Sequence, residues 1–328
     1  MSVGNIQRVV VRGTNWVGDS VMTVPALRAL RRLLPDAKIT LATRPSAKGI
    51  FSEVDFIDDV LVYDRRNAFS VVSQVREWRR REFDLAVLFQ NAFEAALIPF
   101  LAGVPVRLGY ATESRQALLT HPVPLPDWRS SKHEVFYYLY LVTALEQFLS
   151  GTSTVCEADP DISLPISEAR QAEAIQLLRS YGVDEEKSVV ALCPGSINSR
   201  AKRWPAESYA ALADRLMDQH RQVLLIGSRD ELDVSNEVTS RMRNNPIVLT
   251  GKTTLDQITA VLGKVHLVVT NDTGRAHIAA ALGCPTIVIF GPTNPLTTRP
   301  FSFKAEIIRH PPDCVPWMLP DCPLHHLC

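Results

Sequence analysis

An excess of charge of either sign is missing from this 328-residue chain, which carries 35 Lys and Arg against 35 Asp and Glu. That balance excludes general nucleic-acid binding, which relies on many phosphate contacts. Long hydrophobic runs are missing too. The longest apolar stretch, residues 95–106, is broken by Pro99 and Pro105, and a membrane span needs about 20 residues. The opening MSVGNIQRVVVRG has no apolar core of secretory length. These absences predict a cytosolic chain, one that can still touch a membrane surface. What is present is ordinary globular composition, 46% apolar, 21% charged and 7% aromatic, which excludes a disordered or fibrous chain. The length predicts about two domains, each able to bury its own core.

Cysteine is sparse, six in all. Cys156, Cys193 and Cys284 lie among apolar neighbours and are expected to be buried thiols. Cys314, Cys322 and Cys328 cluster near His325 and His326. Their spacing fits no standard zinc pattern, so a reduced thiol-rich tail and a structural zinc both stay open. Charge is balanced locally as well, apart from residues 1–120, with 16 basic and 12 acidic residues including Arg79-Arg80-Arg81. That run reads as a solvated helix face or as part of a contact with an anionic partner.

Short β-branched runs alternate with amphipathic stretches. Predicted strands are 8–12, 38–42, 60–63, 85–89, 189–193, 222–226, 247–250, 267–270 and 286–290. They are near-continuous apolar runs, as strands covered on both faces are. Predicted helices are 26–34, 71–80, 168–181, 206–219 and 255–262. The pattern breaks at SGTSTVCEADPDISLPIS, a Ser-, Asp- and Pro-rich linker. The expected architecture is α/β, with two doubly wound Rossmann-like domains, residues 1–165 and 166–328, facing across a cleft. Chemistry on such sheets sits beyond the carboxyl ends of the strands.

Five loops fall there. Gly13-Thr14-Asn15-Trp16-Val17-Gly18-Asp19 follows the first strand, and Asp19 reads either as a helix cap or as a general base for an incoming hydroxyl. Cys193-Pro194-Gly195-Ser196, then Lys202 and a helix near Pro205, read as a phosphate cradle without the Walker A pattern. Asn271-Asp272-Thr273-Gly274-Arg275-Ala276-His277 offers amides at a helix start to a diphosphate, with His277 one turn in; capping for Asp272 and core burial for His277 are the bland alternatives. Glu231 is placed to hold a ribose hydroxyl or to sit as a surface acid at a helix start. Gly291-Pro292-Thr293-Asn294-Pro295 reads as a rigid turn. No Gly-x-Gly-x-x-Gly fingerprint is present, which argues against a nicotinamide oxidoreductase.

Taken together, TNWVGD, PGSINSRAKRWP, NDTGRAHIAAALGCPTIVIFGPTNP and CPLHHLC resemble the ADP-heptose:lipopolysaccharide heptosyltransferases, in that family's order along nearly the whole chain. The Trp in TNWVGD and the segment RLGYATESRQALLTH are most similar to the heptosyltransferase II branch. The resemblance implies a GT-B fold and an inverting, metal-independent glycosyltransferase with no cofactor. It would move heptose from ADP-L-glycero-D-manno-heptose to the lipopolysaccharide inner core, in the cytoplasm or at the inner leaflet. Carried over by position, Asp19 is the catalytic base of an acceptor-binding N-terminal domain. Ser196, Lys202, Glu231, Asp272, Thr273, Gly274 and His277 bind the ADP-sugar in the C-terminal domain. Arg65, Arg66 and Arg115 are candidate contacts for the anionic glycolipid acceptor. Arg275 stands where relatives often have Leu or Met. Another GT-B sugar-nucleotide enzyme and a non-catalytic nucleotide-sugar binding protein are the alternatives.

Overall fold

The computed structural model describes residues 6–64, 68–197, 199–310, 316 and 321. The chain divides into two compact units, Met1–Ile162 and Ser163–Cys328, the division falling three residues before the expected boundary. Each unit carries one six-stranded parallel sheet.

In the first unit the strands are β1 (Arg8–Arg12), β2 (Lys38–Thr43), β3 (Asp59–Val62), β4 (Leu85–Leu88), β5 (Val106–Tyr110) and β6 (His121–Val123). Their order is β3-β2-β1-β4-β5-β6. The helices are α1 (Val17–Met22), α2 (Val24–Leu33), α3 (Pro45–Lys48), α4 (Ala68–Arg81), α5 (Phe93–Ala102) and α6 (Glu134–Ser150). Runs such as Val9-Val10-Val11 and Leu85-Ala86-Val87-Leu88 are wholly buried because helices cover both faces of the sheet. Trp78 of α4 and Phe83 meet edge to face in this core, with ring centroids 5.8 Å apart.

In the second unit the strands are β7 (Val189–Cys193), β8 (Gln222–Leu225), β9 (Ile247–Val248), β10 (Leu267–Asn271), β11 (Thr286–Phe290) and β12 (Ala305–Arg309). Their order is β12-β11-β10-β7-β8-β9. The helices are α7 (Glu168–Ser180), α8 (Ala206–Asp218), α9 (Leu232–Ser240), α10 (Leu255–Leu262), α11 (Gly274–Ala281) and α12 (Pro295–Thr298). Counted from its own first strand, each sheet therefore runs 3-2-1-4-5-6, the doubly wound Rossmann order. The order reverses between β1 and β4 in one unit and between β7 and β10 in the other. The loops that leave β1, β7 and β10 hold Asp19, then Ser196 and Lys202, then Asp272, while Glu231 follows β8 and Arg115 follows β5.

Three strands have no counterpart among the predicted ones. β5 is interrupted by Arg107 and Gly109, β6 holds only three residues including a proline, and β12 is an edge strand with no fully buried residue. The apolar stretch 95–106 is split between α5, with Pro99 inside it, and the start of β5. One cysteine expectation is corrected: Cys193 and Cys284 are buried, but Cys156 is exposed, in a short turn that lies on α6 through Thr154 and Val155. The Cys/His cluster at 314–328 lies outside the described residues.

Candidate active site

In the first unit β1 ends at Arg12, and Gly13 donates its amide to Ala42 O before the chain turns into α1. Trp16 occupies the N-cap position, 58% exposed, so Asp19 is not the cap; it sits half-buried in the helix's first turn. Burial pushes the Tyr138 hydroxyl of α6 well up, and the Asp19 charge adds to that shift. The loop is pinned from below. Thr14 and Ser20 share a buried hydroxyl contact at 3.0 Å. Asn15 Oδ1 accepts from Arg44 Nε and from the Tyr63 hydroxyl, both at 3.2 Å. The Arg12 guanidinium lies 3.3 Å from the centre of the Tyr63 ring and donates to Gln74 Oε1 at 3.0 Å. These residues all sit at the carboxyl ends of β1–β4 or against them. Nothing in their sequence spacing points to this network, since it joins positions dozens of residues apart.

Arg115 is a correction. It is 0% exposed, and its guanidinium donates to Tyr110 O at 2.9 Å, to Asn91 Oδ1 at 3.0 Å and to Gln90 O. Burial lowers its pKa to about 10. It ties the ends of β4 and β5 together and presents nothing to an acceptor. Arg65 and Arg66 lie outside the described residues. The 79–81 run is engaged within the unit: Arg79 donates to Leu101 O, Arg80 to Glu77, and Arg81 to both Glu77 and Asp59.

In the second unit β7 ends at Cys193, where Pro194 cannot continue the hydrogen-bond ladder. A short turn, Arg200–Lys202, leads through Pro205 into α8. Ser196 is buried, and its carbonyl accepts two bonds from the Arg203 guanidinium, at 2.8 and 3.1 Å. Lys202 Nζ lies 2.6 Å from Asp272 Oδ2, which also accepts from the Thr293 hydroxyl at 2.7 Å. Asp272 is therefore an ion-pair partner rather than a cap, and the Gly291–Pro295 turn supplies part of its environment. Asn271 is the buried knot beneath: its amide donates to Pro194 O at 2.8 Å, while its carbonyl oxygen accepts from Trp204 N at 3.0 Å and the Tyr209 hydroxyl at 3.1 Å. It stitches the loops after β7 and β10. Its position at a strand end is a usable sequence signal, but its partners are not.

Thr273 caps α11 without a side-chain cap hydrogen bond, which leaves first-turn amides to an anion. Ala276, Ala279, Ala280 and Ala281 are buried, so the small residues let α11 lie close to the sheet. His277 is buried one turn into the helix.

Glu231 is not a surface acid. It is 1% exposed, and its carboxylate accepts from Ser228 N at 2.6 Å, from the Ser228 hydroxyl at 2.9 Å and from both terminal nitrogens of Arg275. Burial by itself would raise its carboxyl pKa; the Arg275 guanidinium and the Ser228 donors reverse this and leave it below the usual range. Gly195 is forced by the same group, because a Cβ there would sit 2.2 Å from Glu231 Oε1. A ribose contact from Glu231 would have to share one of these partners. The role of Arg275 is not visible in sequence, since 44 residues separate the pair. Among the described residues no group of three or more His, Cys, Asp or Glu side chains is placed to hold a metal ion.

A doubly wound pair with a carboxylate loop at one switch point and an amide-and-lysine cradle at the other is the working plan of a GT-B glycosyltransferase. The family model described as "Glycosyltransferase family 9 (heptosyltransferase)" matches residues 71–327. The chain belongs to that family. It is 30% identical over 316 residues to lipooligosaccharide heptosyltransferase 2 of Haemophilus influenzae, and 28% identical over 313 residues to lipopolysaccharide heptosyltransferase 2 of Escherichia coli K12; each match covers 92% of this chain and 88% of the relative. The solved structure of E. coli ADP-heptose lps heptosyltransferase II superposes with a TM-score of 0.80 at 28% identity, covering 93% of this chain and 91% of that one.

Proposed function

We propose that this enzyme transfers heptose from ADP-heptose to a lipopolysaccharide inner-core acceptor that already carries one heptose. The observation that carries the reading is the match to heptosyltransferase 2 relatives over 92% of the chain.

The reaction is one in-line displacement. The acceptor oxygen forms its bond to the anomeric carbon as the bond from that carbon to the diphosphate oxygen breaks, with inversion. The hydroxyl proton goes to the Asp19 carboxylate, and ADP leaves with the electron pair. The growing charge on the diphosphate calls for donors already in place. Lys202, the Thr273–Gly274 amides and His277 take that role, and Ser196 lies in the same loop system. Asp272 holds the Lys202 ammonium and neighbours the sugar. Glu231 serves the ribose side while fixing Arg275. Arg65 and Arg66 remain the proposed contacts to the anionic acceptor, within an acceptor-binding first unit. The second unit carries the donor. No helix among the described residues is long and apolar enough to cross a membrane, and the reaction is assigned to the cytoplasmic side, at the inner leaflet where such an acceptor is anchored.

The test is a transfer assay with ADP-heptose and defined core acceptors carrying no heptose or one. Product on the one-heptose acceptor alone is the expected result. Product on the heptose-free acceptor alone reassigns the step. Turnover of a UDP-sugar in place of ADP-heptose overturns the donor.

A further inference from the structure

Helix α4 has two faces of different character. Gln74 and Trp78 are buried against the first unit's core, and Val71 and Val75 pack beside them. The opposite face is Phe69, Val72, Ser73, Arg76, Arg79 and Arg80, all exposed and recurring at one helical turn. Phe69 is 82% exposed and Val72 47%. A soluble helix face normally puts polar groups there; this one puts a bare phenyl ring and a valine at one end and guanidinium groups along the rest. The surface is continuous, since Phe69, Val72, Arg76 and Arg80 border one shallow concavity of about 610 Å³. It extends onto α5, where Arg79 Nη2 donates to Leu101 O at 2.6 Å and the half-exposed Phe100 lies 5.5 Å from the Arg107 guanidinium. The one acid of the concavity, Glu77, is held by Arg81 and Arg80, whose hydrogen bonds keep its carboxyl below the usual range. The face is therefore apolar and net positive.

We propose that this face of α4 docks the enzyme on an anionic lipid bilayer, Phe69 and Val72 entering the headgroup boundary while Arg76 meets lipid phosphates. An apolar wedge flanked by arginine matches the two components of interfacial binding, buried apolar area and attraction to anionic lipid. The proposal rests on the lipid-borne acceptor of the preceding section for its biological source of bilayer. Its evidence is the charge and apolar pattern itself.

The test is co-sedimentation of the full chain with vesicles of phosphatidylcholine alone or mixed with phosphatidylglycerol, neither containing any core acceptor. Wild type should bind the anionic vesicles and be released by salt. Arg76→Gln should lower the partition about fivefold, the usual weight of one charge at such a surface, and Arg76→Lys should restore it. Phe69→Ser should lower binding at every salt concentration. Both variants should keep wild-type transfer to a water-soluble, deacylated acceptor, which shows that they fold. Equal binding to both vesicle types, or wild-type binding by both Phe69→Ser and Arg76→Gln, overturns the proposal. So does a dimer of the wild type that Phe69→Ser converts to monomer with vesicle binding intact, because the face would then be covered by a second copy. Failure of heptose transfer in the soluble assay sinks the reaction assignment and leaves the vesicle result standing, so the two failures are distinguishable.

Discussion

Asp19 follows β1 at a switch point, Glu231 follows β8, and the surroundings of the two carboxylates differ. Asp19 is half-buried in the first turn of a helix whose N-cap is Trp16. General base catalysis contributes about 10²–10⁴-fold. Asp19→Asn should lower turnover by that order, with ADP affinity by calorimetry unchanged; near-normal turnover would remove Asp19 from the chemistry. Glu231 is enclosed and saturated by Ser228 and Arg275. Its folded pKa is depressed, so its stabilising contribution is fully present above the unfolded value of about 4.3 and is lost as pH falls through the folded pKa. Asp214 behaves alike: burial would raise its carboxyl, but the Arg243 and Asn244 amides hold it low. Denaturation midpoints of the wild type should therefore fall on acidification below that unfolded value. In Glu231→Gln the slope should shrink to the part carried by the other depressed carboxyls, Asp214, Glu146 and Glu77, and an unchanged slope would show that Glu231 carries no linkage. Sequence points to Glu231 correctly as a strand-end acid, yet its burial and its partner depend on a residue 44 positions away.

The informative elements are the strand ends. β1, β7 and β11 begin and end where the apolar runs predict, because strands buried on both faces admit nothing else. The edge strands β6 and β12 escape notice for the complementary reason: with one side exposed, their sequences need no apolar run. The misplacement of Arg115 has the same root. Unless β5 is recognised as a strand, the carbonyls that hold this side chain are invisible, and an arginine in a polar segment looks like a surface contact. In the structure it closes the β4 and β5 ends: the Gln90 carbonyl accepts from its guanidinium, and the Tyr110 carbonyl is shared between it and the Thr112 amide. Arg115→Met should destabilise the first unit by about 1–3 kcal/mol, the usual cost of a polar group such as the Gln90 carbonyl losing its partner, read by urea denaturation, with ADP binding unaffected. Unchanged stability together with a raised acceptor Michaelis constant would return it to the acceptor.

At the scale of the whole molecule, each unit has its own sheet and core, and the residues proposed to bind the donor all fall in the second. ADP should raise the unfolding free energy of residues 163–328 by about 2.7 kcal/mol at a hundred times its dissociation constant. Hydrogen exchange should show the protection concentrated around Gly195–Lys202 and Asp272–His277; protection confined to the first unit would contradict the donor assignment. The amino-acid sequence by itself determined the α/β alternation, the division near residue 165, the loops that matter and the family, because burial of strands on both faces and helix-terminus chemistry are written in local pattern. Only the tertiary structure decided which polar groups in those loops are available and which are occupied. Arg115 and Glu231 were occupied, Lys202 was matched to Asp272, and Asn271 was the knot that joins two loops. The physical reason is that hydrogen bonds and ion pairs are short-ranged in space and indifferent to separation along the chain.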